Sequence, residues 1–230
     1  MGSIAENISI VKKAISQLNS SAELMAVTKN FTANEINEAI SCGITHIGEN
    51  RVQELLSKYE GINNRKNIKI HLIGHLQSNK IKYIIDIVDY IDSVDSIDLA
   101  KKIDLMCEKK NTVMNVLVQL NMGNEENKFG IDPNDAEEFL LEISKLKHIK
   151  VCGLMGVLPK SDDEDELKKY FFRLNKIFLD IKGKNIDNIN MDILSMGMSH
   201  DYAVAVEEGA TIVRVGSAIF GRRDYGKSSL

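Results

Sequence analysis

Residues 193–220, ILSMGMSHDYAVAVEEGATIVRVGSAIF, carry the pattern on which the fold prediction rests. Two apolar runs, at 193–197 and 212–220, flank a stretch at 199–208 in which apolar and polar residues recur with helical spacing. A strand, a short helix and another strand in this order form a parallel pair with a right-handed crossover. The segment therefore predicts a repeated strand–helix architecture.

The same unit recurs along the whole chain. Six earlier β-rich runs lie at residues 24–29, 46–49, 70–74, 90–94, 116–122 and 151–157. The early runs are apolar almost without alternation, as expected for parallel strands that are covered on both faces. Amphipathic helical stretches are found at residues 34–41, 96–109, 135–146 and 164–182, and an additional helix is predicted at residues 4–18.

Eight strands at nearly even spacing predict an α/β fold, a single (β/α)8 TIM barrel with an extra N-terminal helix, rather than an open doubly wound sheet. The gap between the third and fourth strands, which is the size of a hairpin connection, fits this prediction least. The chain has two prolines and no Gly/Ser-rich linker, so residues 1–230 are predicted to form one domain.

The composition excludes several classes of function. Hydrophobic residues make up 43% and charged residues 27% of the 230, as in ordinary globular proteins. A net charge of −4 without a basic patch argues against a nucleic-acid or anionic-membrane partner. Cys42, Cys107 and Cys152 lack the spacing of metal ligands and are expected to be reduced thiols. With neither a signal peptide nor a transmembrane run, the sequence predicts a cytoplasmic protein.

Lys29 stands at the end of the first predicted strand. Active sites of such barrels form where strands end and the following loops begin. A partly desolvated lysine there has a lowered pKa, and its amine can attack an aldehyde. The alternative is a lysine that only extends its ammonium group into solvent, and its position in the sequence leaves both open.

The last two strands end in small residues, in SMGMS at 195–199 and RVGS at 214–217. Small residues let main-chain N–H groups approach an anion closely, and the loops after strands seven and eight commonly bind phosphate in this fold. Alternatively, Gly197 and Gly216 serve only close packing. A lysine facing a phosphate site suits pyridoxal 5′-phosphate (PLP) or a phosphorylated sugar.

Seven motifs in order then point to a known family: LMAVTKNFTANEINEAI, HIGENRVQE, HLIGHLQSNK, LVQLNMGNEENKFG, GLMGV, LSMGMSHDY and VRVGSAIFGRRDY. The chain resembles the PLP homeostasis proteins (the YggS/PROSC family), which are similar to the barrel domain of alanine racemase. The resemblance covers nearly the whole chain. It implies PLP as the cofactor and no metal site.

The resemblance also implies which residues bind PLP. Lys29 would form the Schiff base, Arg214 would face the pyridine nitrogen, and residues of the last two loops would hold the phosphate. The cofactor-binding positions predicted in this way are Lys29, Asn50, Ser199, Arg214, Gly216 and Ser217. His75 and His200 are expected to be polar loop residues rather than catalytic groups.

The implied role is to bind and deliver PLP rather than to catalyse a reaction with it. A cationic Arg214 would disfavour protonation of the pyridine nitrogen and so weaken the electron sink that PLP catalysis uses. The sequence ends ten residues after Phe220, short of the second domain and catalytic tyrosine of alanine racemase, and Tyr202 is expected to pack in its helix. The resemblance therefore implies a protein that serves vitamin B6 homeostasis and delivers PLP to apoenzymes. A monomer is expected, because the sequence shows no additional apolar surface element.

Three alternatives stay open at this point. One is a low-activity PLP-dependent amino-acid racemase or lyase, and another is a class I aldolase that uses Lys29 on a sugar phosphate. The third is an interaction protein that has kept the pocket without loading it. Lys128, in the loop after the fifth strand, is either a transient acceptor of PLP during transfer or a solvent-facing lysine.

Overall fold

Parallel strands close into a barrel in the computed structural model of the chain, which describes residues 2–18, 21–123 and 129–221. Within these residues the eight strands are β1 (Glu23–Val27), β2 (His46–Glu49), β3 (Lys69–Leu72), β4 (Tyr90–Val94), β5 (Met114–Asn121), β6 (Ile149–Val157), β7 (Ile189–Ser195) and β8 (Ile212–Val215). Each strand pairs with the next in parallel, and β1 also pairs with β8, which closes the ring. The predicted (β/α)8 barrel is confirmed.

Helices cover the outside of the barrel, and the first of them precedes β1. In the described part of the chain they are α1 (Ile4–Gln17), α2 (Ala33–Ser41), α3 (Val52–Lys58), α4 (Ile81–Ile84), α5 (Ile97–Lys110), α6 (Ala136–Ile143), α7 (Glu164–Gly183), α8 (Tyr202–Glu207) and α9 (Ser217–Phe220). Side-chain caps define several of their starts. Thr32 and Glu35 form a capping box at α2, and the Ser96 hydroxyl accepts the Leu99 N–H at α5, as predicted.

The main difference from the prediction lies in the last element. The run at 212–220 was predicted as one strand, but β8 ends at Val215 and residues 217–220 form α9. The prediction was wrong there because the apolar residues of a helix of four residues are too few to show a periodicity that separates them from a strand. The consequence is that the chain turns at Gly216, at the carboxyl end of the barrel.

The short connection between β3 and β4 is accommodated by small helical elements. A 3₁₀ turn at Ser78–Lys80 leads directly into the single-turn α4. Helix α3, which follows β2, was also absent from the prediction, although Val52 and Leu55 bury its apolar side. A helix of seven residues offers too few turns for its period to be recognised from sequence.

The core has two parts. The large one lies between the barrel and the helices and includes fully buried side chains such as Ile36, Leu72 and Phe171. A smaller cluster of Leu117, Cys152 and Met155 is separate from it. Buried charged and polar side chains also belong to the barrel strands, and they lead to the candidate site. In the described part of the chain, no helix combines the length and apolar character that crossing a bilayer requires.

Gly153 allows β6 to bend against both of its neighbours. The strand register shifts around this residue, whose φ is +149°, and a Cβ atom built there would lie 1.8 Å from the carbonyl oxygen of Ile193. Such an approach is incompatible with any side chain. Glycine at this position is therefore a requirement of the barrel geometry.

We expect Gly153→Ala to lower the free energy of unfolding by about 2–4 kcal/mol, because the methyl group would overlap the neighbouring strand and strain φ. The measurement is urea denaturation followed by circular dichroism. Gly183→Ala is the matched control, since a Cβ there meets no described heavy atom within 4 Å. Equal destabilisation by the two substitutions would contradict the interpretation.

Candidate functional site

A cavity of about 380 Å³ opens at the carboxyl ends of the strands. Its lining includes residues that follow β1, β2, β7 and β8. All six positions predicted from the sequence contribute to it: Lys29, Asn50, Ser199, Arg214, Gly216 and Ser217. The structure thus brings together residues that are up to 188 positions apart in the chain (Lys29 to Ser217). Their predicted roles toward a cofactor remain predictions.

Ser199 connects the loops that follow β7 and β8. Its hydroxyl oxygen accepts hydrogen bonds from the N–H groups of Gly216, at 3.1 Å, and Ala218, at 3.3 Å. The Ser217 side chain between them is exposed on the cavity. A hydroxyl and main-chain N–H groups are therefore clustered at one end of the cavity, where they can bind an anion. The four-residue α9 adds little through its dipole.

Glycine at two positions gives this cluster its shape. Gly197 has a φ of +84°, and a Cβ there would lie 2.5 Å from the Ala205 Cβ, so the turn after β7 requires glycine. At Gly216, a Cβ would lie 3.4 Å from the Cβ of Val27, which also lines the cavity. This is an ordinary van der Waals separation, so space alone does not require glycine at 216, but without a side chain its main chain is open to the cavity that it lines.

Arg214 forms a buried cationic wall of the cavity. It is 7% exposed, and its guanidinium group donates to the Ser195 hydroxyl and to the Gly156 carbonyl, both at 2.8 Å. Burial lowers the pKa of Arg214 to about 10, while the carboxylates of Asp92 and Asp201 favour its charged form. The guanidinium is consequently cationic at neutral pH and is held in one orientation.

A buried ion pair supports the loop that carries Lys29. The Lys58 ammonium group lies 2.7 Å from Glu49 Oε1 and donates to the Thr28 carbonyl at 2.8 Å. The Thr28 hydroxyl donates to the same Glu49 oxygen, and the Thr28 N–H donates to the Gly48 carbonyl at 3.0 Å. Because Thr28 immediately precedes Lys29, these contacts determine where the lysine leaves the barrel.

The ion pair is almost completely removed from water. The side chains of Glu49 and Lys58 are 0% and 8% exposed, and among the described residues Glu49 Oε2 has no hydrogen-bond partner. Burial raises the pKa of Glu49, whereas the charge of Lys58 and the hydrogen bonds from Lys58 and Thr28 act in the opposite direction. The carboxylate therefore depends on Lys58 for its charge.

The charged lining of the cavity is cationic. Lys29, Lys160 and Arg214 line it together with His200, and none of its described lining residues is a carboxylate, a tyrosine or a cysteine. This contrasts with the net charge of −4 of the chain. A larger groove of about 910 Å³ beside α6 is lined by five Asp or Glu residues and a single Lys145, so it suits an anion poorly.

Lys160 and His200 were not assigned to the site from the sequence. Lys160 is exposed in the loop after β6, and no pattern separates it from other surface lysines. His200 follows Ser199 in the predicted loop and lines the cavity, which its place in the GMSH motif could have indicated. Tyr202 packs against the outer core, as expected. Lys128 lies outside the described residues.

Comparison with known proteins extends these observations. The family model described as alanine racemase, N-terminal domain, matches residues 1–224. Alanine racemase of Clostridium difficile, 16% identical, superimposes with a TM-score of 0.72 over 96% of this chain and 58% of that one, which shows the fold alone. The fold and the cationic cavity thus define a barrel of the alanine-racemase type.

Two other proteins are more similar. The pyridoxal phosphate homeostasis protein of Aquifex aeolicus is 38% identical over 204 residues, which are 89% of this chain and 88% of that protein. The structure of PipY of Synechococcus elongatus with PLP bound is 34% identical, with a TM-score of 0.85 over 95% of this chain and 100% of that one. The chain belongs to the family of pyridoxal phosphate homeostasis proteins.

We expect Lys58→Met to lower the free energy of unfolding by about 3–5 kcal/mol, because it leaves the buried Glu49 without its counter-charge. Denaturant unfolding at unchanged m-value measures the loss. The double variant Glu49→Gln/Lys58→Met is expected to recover only part of it, since the fully buried charge of Glu49 is then absent but Glu54, which lies 3.0 Å from the Lys58 ammonium group, still loses its partner.

Lys102→Met is the control for this experiment. Lys102 pairs with Asp98 at 2.6 Å, but the two side chains are 48% and 75% exposed, so the loss there should stay below about 1 kcal/mol. A similar loss for Lys58→Met and Lys102→Met would show that the buried pair contributes no more than a surface pair.

Proposed function

We propose that this protein binds PLP in the cavity at the carboxyl end of its barrel and acts in PLP homeostasis and delivery. One observation carries the proposal: a primary amine, a buried guanidinium and a serine-linked anion cradle line a single cavity that has no carboxylate among its described lining residues. An amine that can attack a carbonyl carbon and a cradle for an anion fit an aldehyde that also bears a phosphate. Relatives named for PLP homeostasis, and PipY with PLP bound, support the choice of ligand.

Different residues of the cavity would bind different groups of the cofactor. Lys29 supplies the amine to which the aldehyde attaches, and Ser199, Gly216 and Ser217 hold the phosphate. Arg214 would face the ring nitrogen. When bound, PLP would supply an aldehyde that other amines can take over. Release to an apoenzyme would then replace the amine of Lys29 by an amine of the acceptor, so that binding of PLP is reversible.

Arg214 favours reversible binding of PLP over PLP-dependent catalysis. Its charge at neutral pH opposes a second positive charge on the ring nitrogen, and PLP catalysis draws on a ring that accepts electrons well. The guanidinium is also fixed by Ser195 and Gly156, so it cannot move away from the cavity without breaking two buried hydrogen bonds. We infer that catalysis by the protein itself is weak.

A low-activity racemase or lyase is the second candidate function. His200 favours it, because this 52% exposed histidine lines the cavity and its Nε2 lies 3.3 Å from Asp201 Oδ2, an arrangement that can carry a proton. Incubation of the PLP-loaded protein with single enantiomers of amino acids, followed by chiral chromatography, decides between the two. Turnover that His200→Asn abolishes would favour the enzyme.

We expect Lys29→Ala to remove the visible absorption band that the protein shows after loading with PLP. Borohydride reduction of the loaded wild type, followed by peptide mass mapping, should place the added mass on Lys29 rather than on Lys160. Lys102→Ala, a change of an exposed lysine on α5, serves as the control and should keep the band. A band that survives Lys29→Ala would refute the assignment of the amine.

We expect Ser199→Ala to weaken PLP binding roughly tenfold, because one hydroxyl that contacts the phosphate is lost and the Gly216 and Ala218 N–H groups lose their acceptor. Binding of pyridoxal, which has no phosphate, should change much less. Spectroscopic titration of both ligands measures the two dissociation constants. Equal weakening for PLP and pyridoxal would show that Ser199 does not act on the phosphate.

A further inference from the structure

Four polar side chains cross the first four strands on the amino-terminal side of the cavity. Glu23 is the first residue of β1, His46 the first of β2, and His71 and Asp92 are the third residues of β3 and β4. We refer to these four residues as the histidine chain. None of them lines the cavity described above.

Each member of the histidine chain contacts the next. His46 Nε2 is paired with a carboxylate oxygen of Glu23, and His46 Nδ1 lies 2.9 Å from His71 Nε2. His71 Nδ1 lies 2.9 and 3.1 Å from the two oxygens of Asp92. All four ring nitrogens are therefore engaged, and the contacts run from Glu23 to Asp92 without a gap.

Burial increases steadily along the histidine chain. The Glu23 side chain is 56% exposed and that of His46 is 13% exposed, whereas His71 and Asp92 are 0% exposed. Tyr90 stacks on the His71 ring, with centroids 4.5 Å apart and an angle of 3° between the planes. Solvent therefore reaches this polar row through Glu23 and His46 at one end.

Counting protons shows that the histidine chain is one hydrogen short. Its three contacts each need one hydrogen between the paired atoms, but two neutral imidazoles carry only two. If His71 donates to Asp92 and His46 donates to His71, then His46 Nε2 presents a lone pair to the Glu23 carboxylate. One additional proton on His46 Nε2 completes the third contact.

The surrounding charges set when this proton is taken up. His46 is influenced by Glu23 on β1, by Lys69 and His71 on β3, and by Asp92 on β4. Burial, followed by the neighbouring His71, lowers the pKa of His46 below its ordinary value of 6.5, while the two carboxylates raise it. Removal from water therefore opposes protonation of His46 and the two carboxylates favour it, so acidification of the solution supplies the proton that the third contact lacks.

The far end of the histidine chain acts on the cavity through Asp92. This carboxylate favours the charged form of Arg214. It also adds to the effect of burial in raising the pKa of Tyr90 on β4 and that of Cys152 on β6, the latter to about 11. An extra proton held between Glu23 and Asp92 offsets part of the negative charge that Arg214 experiences. The cavity then presents a more positive potential to an anion.

We propose that one proton, taken up from solvent at Glu23 and His46, loads the histidine chain and raises the affinity of the cavity for an anionic ligand. The inference rests on the proposed function in that PLP is the ligand that reports it. Because both ring nitrogens of the central contact can donate or accept, the positive charge can lie on His46 or His71. The histidine chain thus acts on the ligand through the electrostatic potential of the cavity, and none of its four residues contacts the ligand.

Glu23→Gln is the decisive variant. Its amide can donate to the His46 Nε2 lone pair and complete the third contact without a proton, so the histidine chain should no longer take one up. The substitution is on a half-exposed side chain and preserves its shape, so folding should be retained. Glu60→Gln, on an 84% exposed side chain, is the control for the loss of one surface charge.

Two measurements test the proposal. In the ligand-free wild type, ¹⁵N NMR of the imidazoles should show His46 and His71 titrating together, with one proton for the pair, and Glu23→Gln should abolish that step. Second, the dissociation constant for PLP is measured by absorption from about pH 8 to about pH 5.5 in wild type and variants. The ratio of variant to wild type cancels the titration of the ligand's own phosphate.

Between the two ends of this range, the ratio for Glu23→Gln should rise roughly two- to tenfold, and the ratio for Glu60→Gln should stay constant. A constant ratio for Glu23→Gln, or independent titration of the two histidines, would refute the histidine chain while PLP binding stands. Failure of the wild type to take up PLP at any pH would instead refute the proposed function.

Discussion

The hydrogen bonds between β1 and β8 join the first strand of the chain to the last, and the site depends on that closure. Met25 lies opposite Arg214 and Ala26 opposite Val215 in this pair. The same register brings Val27 beside Gly216, so that the loop carrying Lys29 and the loop carrying the anion cradle face one cavity. An open sheet would leave these loops at opposite edges, with the amine far from the cradle.

Closure also forces charged side chains into places that water does not reach, and each of them is compensated locally. Lys58 neutralises Glu49 beneath the loop of Lys29, and Arg214 is held by Ser195 and Gly156. Such pairs add little net stability, because desolvation offsets most of their attraction. Their contribution is geometric, since these contacts hold the backbone next to the cavity in place. The buried carboxylate of Glu49 therefore holds the loop behind the cavity, whereas the charged residues that line the cavity itself are cationic.

The difference between expectation and structure follows from how far a sequence pattern reaches. Ser96 was recognised as a helix cap because the cap and the N–H group that donates to it lie three residues apart. The end of β8 was missed because the three apolar residues of α9, which follow Ser217, have the same local pattern as a strand. His46 and His71 were seen as parts of two strands, but their contact arises from the parallel register of β2 and β3, which no local pattern expresses. Lys160 enters the cavity for the same reason, through the position of its loop.

The sequence by itself determined the alternation of strands and helices, the place of Lys29 at a strand end, and the small residues at Gly197 and Gly216. These features depend on side-chain periodicity and on backbone conformations that act within a few residues. Only the tertiary structure decided that Arg214 is buried between Ser195 and Gly156, that Lys58 supports the loop of Lys29, and that four polar side chains form one row across the barrel. The physical reason is that ring closure and strand register fix which distant residues meet, and both depend on the packing of all eight strands together.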